Sequence, residues 1–332
     1  MLKSSFLSYK CVKNKQKSSE KHSFVGTILL LLMLKIAFSP IYRYELPDKH
    51  RFPMVKYDLL PEQLLYEGTI EESSFFEPDA LSEETILLTH EKEYWNRLKN
   101  QQLSRKEIRA IGFPMSPQLV KRGTHIANGT LQCAYYAMQH GVSLNVAGGT
   151  HHSFSDRGEG FCLLNDIAIA SNYLLKEETV KKILIVDLDV HQGNGTAQIF
   201  QEEERVFTFS MHGAKNYPTR KVPSNLDIGL DDKTPDAPYL KILQETLPKL
   251  MDEVEPDMIF YLSGVDVLES DKLGRLSLSL RGCKERDRMV FETCHRNQVP
   301  VAVSMGGGYS ERLAHIIEAH ANTFRTAQEI YF

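Results

Sequence analysis

The stretch Ile183-Leu184-Ile185-Val186-Asp187-Leu188-Asp189-Val190-His191-Gln192-Gly193-Asn194-Gly195 decides the architecture. Its first half is a short, nearly continuous apolar run, the pattern of a strand buried on both faces. Its second half sets two carboxylates and an imidazole at alternate positions, and residues i, i+2 and i+4 of extended backbone share one face. Asp187, Asp189 and His191 are therefore expected to point the same way. Two carboxylates side by side in an apolar setting are costly unless a cation neutralises them. The mixed oxygen and nitrogen set suits a divalent ion such as zinc, whereas all-oxygen sites suit calcium or magnesium. Capping the helix that follows would need one acid and no histidine.

The same grammar repeats outward from this stretch. Leu144–Ala147 runs into Gly148-Gly149, Val206–Ser210 into Met211-His212, and Met258–Leu262 into Ser263-Gly264. Val299–Ser304 runs into Met305-Gly306-Gly307-Gly308, and Leu34–Ser39 forms a first strand closed by Pro40. Helical segments are predicted near 125–140, 165–177, 239–253, 284–297 and 310–328. Short apolar strands separated by helices predict one α/β domain with a parallel sheet covered on both faces. Ligands of such sheets bind beyond the carboxyl ends of the strands, and every polar cluster here follows a strand end.

Three further clusters carry chemistry. A catalytic zinc site usually has three protein ligands, and Asp266, just past the Met258–Leu262 run, is the candidate third. Taken alone, Asp266 reads equally well as a turn residue or helix cap. The adjacent His151 and His152, in a Gly-rich strand-to-loop passage, are poor core formers and good proton carriers. Asp187 and Asn194 are the candidates to orient these rings. Gly306-Gly307-Gly308 lets the backbone approach a ligand closely and presents Tyr309, whose phenol can donate to a developing oxyanion. The glycines lack the spacings of nucleotide phosphate-binding loops.

Charge is unevenly spread. Residues 1–32 hold six Lys and one Glu, a balance of +5, so a chain of net −4 carries −9 in residues 33–332. A body that acidic has no overall pull towards nucleic acid and favours an exposed cationic tail or amine as substrate. Residues 1–32 read as a basic, disordered extension, with Met33 as the favoured native start and 33–332 as the catalytic domain. Phe24–Leu34 is too short to span a bilayer, and its competing reading is a signal anchor. Cys11, Cys133, Cys162, Cys283 and Cys294 are odd in number, scattered and without C-x-x-C spacing, which predicts a reducing, cytoplasmic compartment.

In this order and at this spacing, the four clusters resemble those of the histone deacetylase superfamily. The resemblance runs over roughly residues 34–330, from Ser39-Pro40-Ile41-Tyr42 and Arg51-Phe52-Pro53-Met54 onward. Ser155-Asp156-Arg157-Gly158, His191-Gln192-Gly193-Asn194-Gly195 and Asp271-Lys272-Leu273-Gly274 look most like its class IV branch. The resemblance implies a single-domain arginase/deacetylase fold, a central parallel sheet of about eight strands flanked by helices. It implies zinc-dependent hydrolysis of N-acyl-lysine amides, with Asp189, His191 and Asp266 as ligands of one zinc ion. His152 is then the general base and acid, His151 its electrostatic partner, and Tyr309 the oxyanion donor. By the same resemblance Phe161 and Tyr217 match the walls of an acyl-lysine tunnel, with Gly160 and Gly307 lining it and Arg51 at its foot, while ordinary core packing is the competing reading of the two aromatics. Asp187, Ser210 and Met211 match a structural potassium site. One departure stands out: Asn194 occupies a position that is aspartate in many members, so His152 receives less support for its protonated form.

Other functions compete with this one. A ureohydrolase would need carboxylates for a second metal, and Gly193 and Leu268 offer none. An acetylpolyamine or other small-amide deacetylase would share every catalytic group. A zinc-containing acyl-lysine binder without turnover is disfavoured by the intact His152 and Tyr309. Partners are an acyl-lysine protein or peptide, or an acylated amine, with neither nucleic acid nor a membrane span; oligomeric state is left open.

Overall fold

In the computed structural model, which describes residues 33–332, eight strands form one sheet in which every neighbouring pair is parallel. They are β1 (Lys35–Ala37), β2 (Phe75–Phe76), β3 (Val142–Asn145), β4 (Ile183–Asp187), β5 (Val206–Gly213), β6 (Leu226–Leu230), β7 (Met258–Leu262) and β8 (Val301–Ser304). Their spatial order is β2-β1-β3-β8-β7-β4-β5-β6. Every residue of β3, β4, β7 and β8 is buried, as expected of inner strands with helices over both faces. The edge strand β6 alternates between partly buried and exposed residues up to its last position, because one of its faces meets solvent. The expectations for residues 1–32 lie outside the described residues.

The strand order explains why four distant clusters meet. The chain builds β3, crosses to β4 on the far side of the gap, and only later fills that gap with β7 and β8. The carboxyl ends of β3, β8, β7 and β4 therefore stand side by side, and from them emerge His151-His152, Tyr309, Asp266 and Asp189-His191. This is the crevice at which open parallel sheets bind ligands.

Local signals set the helices. The helix Pro117–His140 starts at the Ser116 side chain, which accepts from Leu119 N–H, and at Pro117, and stops at Gly141. It begins eight residues before the expected 125, because the Ser116 cap and Pro117 start the helix ahead of the expected segment. The Arg105–Ile111 helix has a full capping box between Ser104 and Glu107, readable in the sequence but missed. Expected strands were displaced by up to two residues: β3 starts at Val142 rather than Leu144, and β8 at Val301 rather than Val299. The first strand ends at Ala37, since Ser39 already caps a 3-10 turn over Pro40–Tyr42. The two-residue β2 and the half-exposed β6 carry too little apolar signal to be found by pattern.

Candidate active site

Asp189, His191 and Asp266 are buried and each offers one ligating atom, all within 4.8 Å of one another. Backbone N–H groups hold the acids in place. His191 N–H donates to Asp189 Oδ1 (2.9 Å), Gly307 N–H to Asp189 Oδ2 (2.9 Å), and Val190 N–H to Asp266 Oδ1 (3.0 Å). The His191 ring turns Nδ1 to Asp189 Oδ1 at 3.0 Å and to Asp266 Oδ2 at 3.2 Å. Asp266 Oδ2 is buried without a satisfactory hydrogen-bond donor. Burial opposes ionisation of both acids. At Asp189 the His191 hydrogen bond and the charges of His151 and His191 overcome it, and the carboxyl lies below its usual range. At Asp266 burial and repulsion from Asp189 dominate and push the carboxyl up. Two converging carboxylates, an imidazole and an unanswered buried oxygen form a donor set that fits a divalent cation.

Access to this set depends on glycine at two positions. A Cβ on Gly307 would stand 2.0 Å from Asp266 Oδ2, so no other residue permits the approach. Gly160 has φ 53° and a Cβ there would meet His152 at 2.6 Å. Phe161 follows in the same left-handed region, φ 69°, which is unusual for a bulky aromatic residue. Hydrogen bonds from Gly160 N–H to Ala110 and from Phe161 N–H to Ile111 hold the pair there.

The two neighbouring imidazoles have different partners. His151 Nδ1 lies 2.6 Å from Asp187 Oδ2, and His152 Nδ1 lies 2.7 Å from Asn194 Oδ1. For His151, burial favours the neutral ring, but the Asp187 carboxylate outweighs it and the pKa rises. For His152, burial acts first and the positive potential of His151 and His191 adds to it, so the pKa falls well below the usual 6.5. An amide oxygen only accepts, so His152 carries its proton on Nδ1 and keeps Nε2 as a free base. The partly buried Tyr309 packs against Phe52 and Phe161, with ring centroids 5.8 and 5.9 Å away. Burial and then the Asp266 and Asp189 charges keep its phenol protonated.

The remaining expected residues fall into two spaces. An outer cleft of about 250 Å³ is lined by Arg51, Gly160, Phe161 and Tyr217 and reaches His152, His191 and Tyr309. The Tyr217 ring stands edge-on to His152 at 4.8 Å. An inner cavity of about 50 Å³ is lined by Gly307, the two histidines and Asp189, and shares Gly160, Phe161, His191 and Tyr309 with the cleft. Arg51 is exposed and its guanidinium lies 4.9 Å over Phe161, so it flanks the mouth and not the foot. The arginine of the inner cavity is the buried Arg122, held by its Nε–H on Tyr42 carbonyl (2.6 Å). Arg51 stands in a local string that the sequence shows, whereas Arg122 arrives from the long helix, which no string shows. Ser210 stands opposite Asp187 in the β4–β5 register, with the buried Met211 next along β5. Ser210 Oγ and His212 Nδ1 are 2.9 Å apart.

Two positioning groups were missed. Asp271 accepts Tyr309 N–H at Oδ2 (2.6 Å), and Leu273 and Gly274 N–H at Oδ1 (2.8 and 2.9 Å). It thereby joins the loops after β7 and β8. Arg286, wholly buried, donates to the carbonyls of Leu188 (3.2 Å), Ser263 (3.3 Å) and Gly264. It braces the turns that carry Asp189 and Asp266 and pairs with Asp287 at 2.8 Å. An Arg-Asp dipeptide in a polar helical stretch reads as surface, so no sequence signal marks this one.

A histone deacetylase domain matches residues 50–324, and the chain belongs to that family. It is 41% identical over 296 residues to an uncharacterized protein of Picosynechococcus sp., covering 89% of this chain and 99% of that one. It is 28% identical over 279 residues to histone deacetylase 2 of Arabidopsis thaliana, covering 81% and 72% of the two chains. The crystal structure of a histone deacetylase homologue from Aquifex aeolicus superposes with TM-score 0.76 at 24% identity, over 89% of this chain and 84% of that one. The shared architecture is the arginase/deacetylase fold. Among the described residues no helix is long and apolar enough to cross a membrane, and Cys133, Cys162, Cys283 and Cys294 are unpaired and buried.

Proposed function

We propose that the chain is a zinc-dependent hydrolase of N-acyl-lysine amides in proteins or peptides, of the class IV branch. The observation that carries this reading is the buried Asp189–His191–Asp266 set, whose His191 lines the outer cleft, with a free imidazole nitrogen and a protonated phenol beside it. Zinc held by those three side chains would polarise the acyl oxygen and acidify a water molecule.

The chain's own groups supply the rest. Phe161 and Tyr217 flank the apolar stem of the acylated lysine, and Gly160 and Gly307 leave room for the amide. His152 Nε2 takes the proton of the attacking water, since its lowered pKa keeps it unprotonated at neutral pH. The Tyr309 hydroxyl donates to the oxyanion as the carbonyl becomes tetrahedral. His152 then returns the proton to the departing amine, while the Asp187–His151 pair balances the charge at its side. We further assign a structural potassium ion to the neighbourhood of Asp187, Ser210 and Met211, and a cytoplasmic setting to the unpaired thiols.

A panel of acetyl- to long-chain acyl-lysine peptides, with an acetylpolyamine alongside, tests the reading. Hydrolysis of the peptides that stops with a chelator and returns with zinc is the expected result. Turnover of the polyamine alone would move the assignment to small-amine deacetylation, and chelator-insensitive hydrolysis would remove zinc from it.

A further inference from the structure

Three cationic side chains, Arg51, Lys215 and Arg275, line the outer cleft, and no carboxylate lines it among the described residues. All three are exposed at the rim. Lys215 and Arg275 share a single counter-ion, Asp232, at 3.8 and 3.1 Å. Arg51 rests on the face of Phe161 and has no ion pair among the described residues. Glu159, bonded to the Tyr217 hydroxyl of the cleft wall (2.6 Å), is also engaged by Arg157 Nε–H (2.9 Å). The mouth is thus positive on a body whose residues 33–332 sum to −9. Clefts lined by one sign of charge focus the field and select ligands of the opposite sign.

We propose that the cleft is built for an acidic peptide, one whose acylated lysine is flanked by aspartate or glutamate, and that it discriminates against Lys/Arg-rich tails and polyamines. This deepens the deacylase reading and rests on it. The acyl-lysine stem would enter between Phe161 and Tyr217, leaving the flanking residues at the level of the Arg51, Lys215 and Arg275 head groups. Exposed pairs of this kind are screened by salt, so the preference is ionic-strength dependent.

The test uses three peptides with one acyl-lysine each, flanked by Asp/Glu, by Ser/Gly or by Lys/Arg. Affinity is read by fluorescence anisotropy on the full chain carrying Tyr309→Phe, and kcat/KM on the wild type. The acidic peptide should exceed the basic one by ~10-fold or more at low salt, converging at about 1 M salt, where the Debye length is ~3 Å. Arg51→Glu with Lys215→Glu should invert the ratio; a merely misfolded cleft would weaken all three peptides alike. Equal affinities, a preference for the basic peptide, or no binding would overturn the proposal. Failure of the wild type to hydrolyse any peptide, with the charge preference intact in binding, would instead count against the deacylase reading.

Discussion

His152 Nδ1 meets the amide oxygen of Asn194 at 2.7 Å, while one residue earlier His151 Nδ1 meets a carboxylate, Asp187, at 2.6 Å. Two adjacent imidazoles are thereby driven in opposite directions, His151 up and His152 down. Environments that separate the pKa values of neighbouring groups assign them different tasks. On the proposed mechanism this leaves His152 as the base.

Asn194→Asp follows from this. A carboxylate at Nδ1 stabilises the imidazolium, so the His152 pKa rises. The reaction needs the neutral ring for attack, so the acidic limb of the kcat/KM–pH profile should move to higher pH. Superimposable acidic limbs for wild type and variant would contradict the assignment.

Tyr309→Phe removes the phenolic donor and should lower kcat by ~10²–10³-fold with metal content and melting temperature close to wild type. Asp271→Ala leaves the phenol in place but frees the Tyr309 backbone. It should lower kcat by ~10-fold or more with a smaller change in KM, since a misplaced donor loses most of its effect in the transition state. Asp271→Asn, which keeps an acceptor oxygen, should recover part of the loss. Steady-state kinetics on the three variants decide this.

Arg286→Met leaves Asp287 without its cation inside the core. Removing one partner of a buried ion pair costs ~3–5 kcal/mol, and urea denaturation should show it. The carbonyls of Leu188, Ser263 and Gly264 lose their donor at the same time, so metal affinity should fall too. Wild-type stability in Arg286→Met would remove the bracing role.

Acid should destabilise the fold through His90. Its Nε2 accepts Asn165 N–H at 3.0 Å, and burial pushes its pKa down to about 4. Unfolded, the ring titrates near 6.5, so between those values the unfolded chain binds the extra proton and stability falls as pH falls. The shift corresponds to ~3 kcal/mol lost between pH 6.5 and 4. His90→Gln should be less stable at pH 7.5 but lose less over that window, as followed by thermal melts.

Much of this was legible in the chain. Ile183–Asp187 and Met258–Leu262 show their burial as continuous apolar runs, and polar residues immediately after an apolar strand have no packing use there. The polar strings after these strands stand out in the sequence for that reason. Arg51 was misjudged for the converse reason: the position of a side chain across a cleft depends on how the loop carrying it packs against Phe161.

By itself, then, the sequence determined the alternation of strands and helices, the ends at which chemistry gathers, and the residue types gathered there, because burial and side-chain periodicity are local. Tertiary structure alone decided which ring faces Asp187 and which faces Asn194, that Arg122 and Arg286 sit inside, and that a chain of net −4 presents a positive mouth. Charges add along a sequence regardless of place, whereas the field at a cleft is set by the few that stand nearest to it.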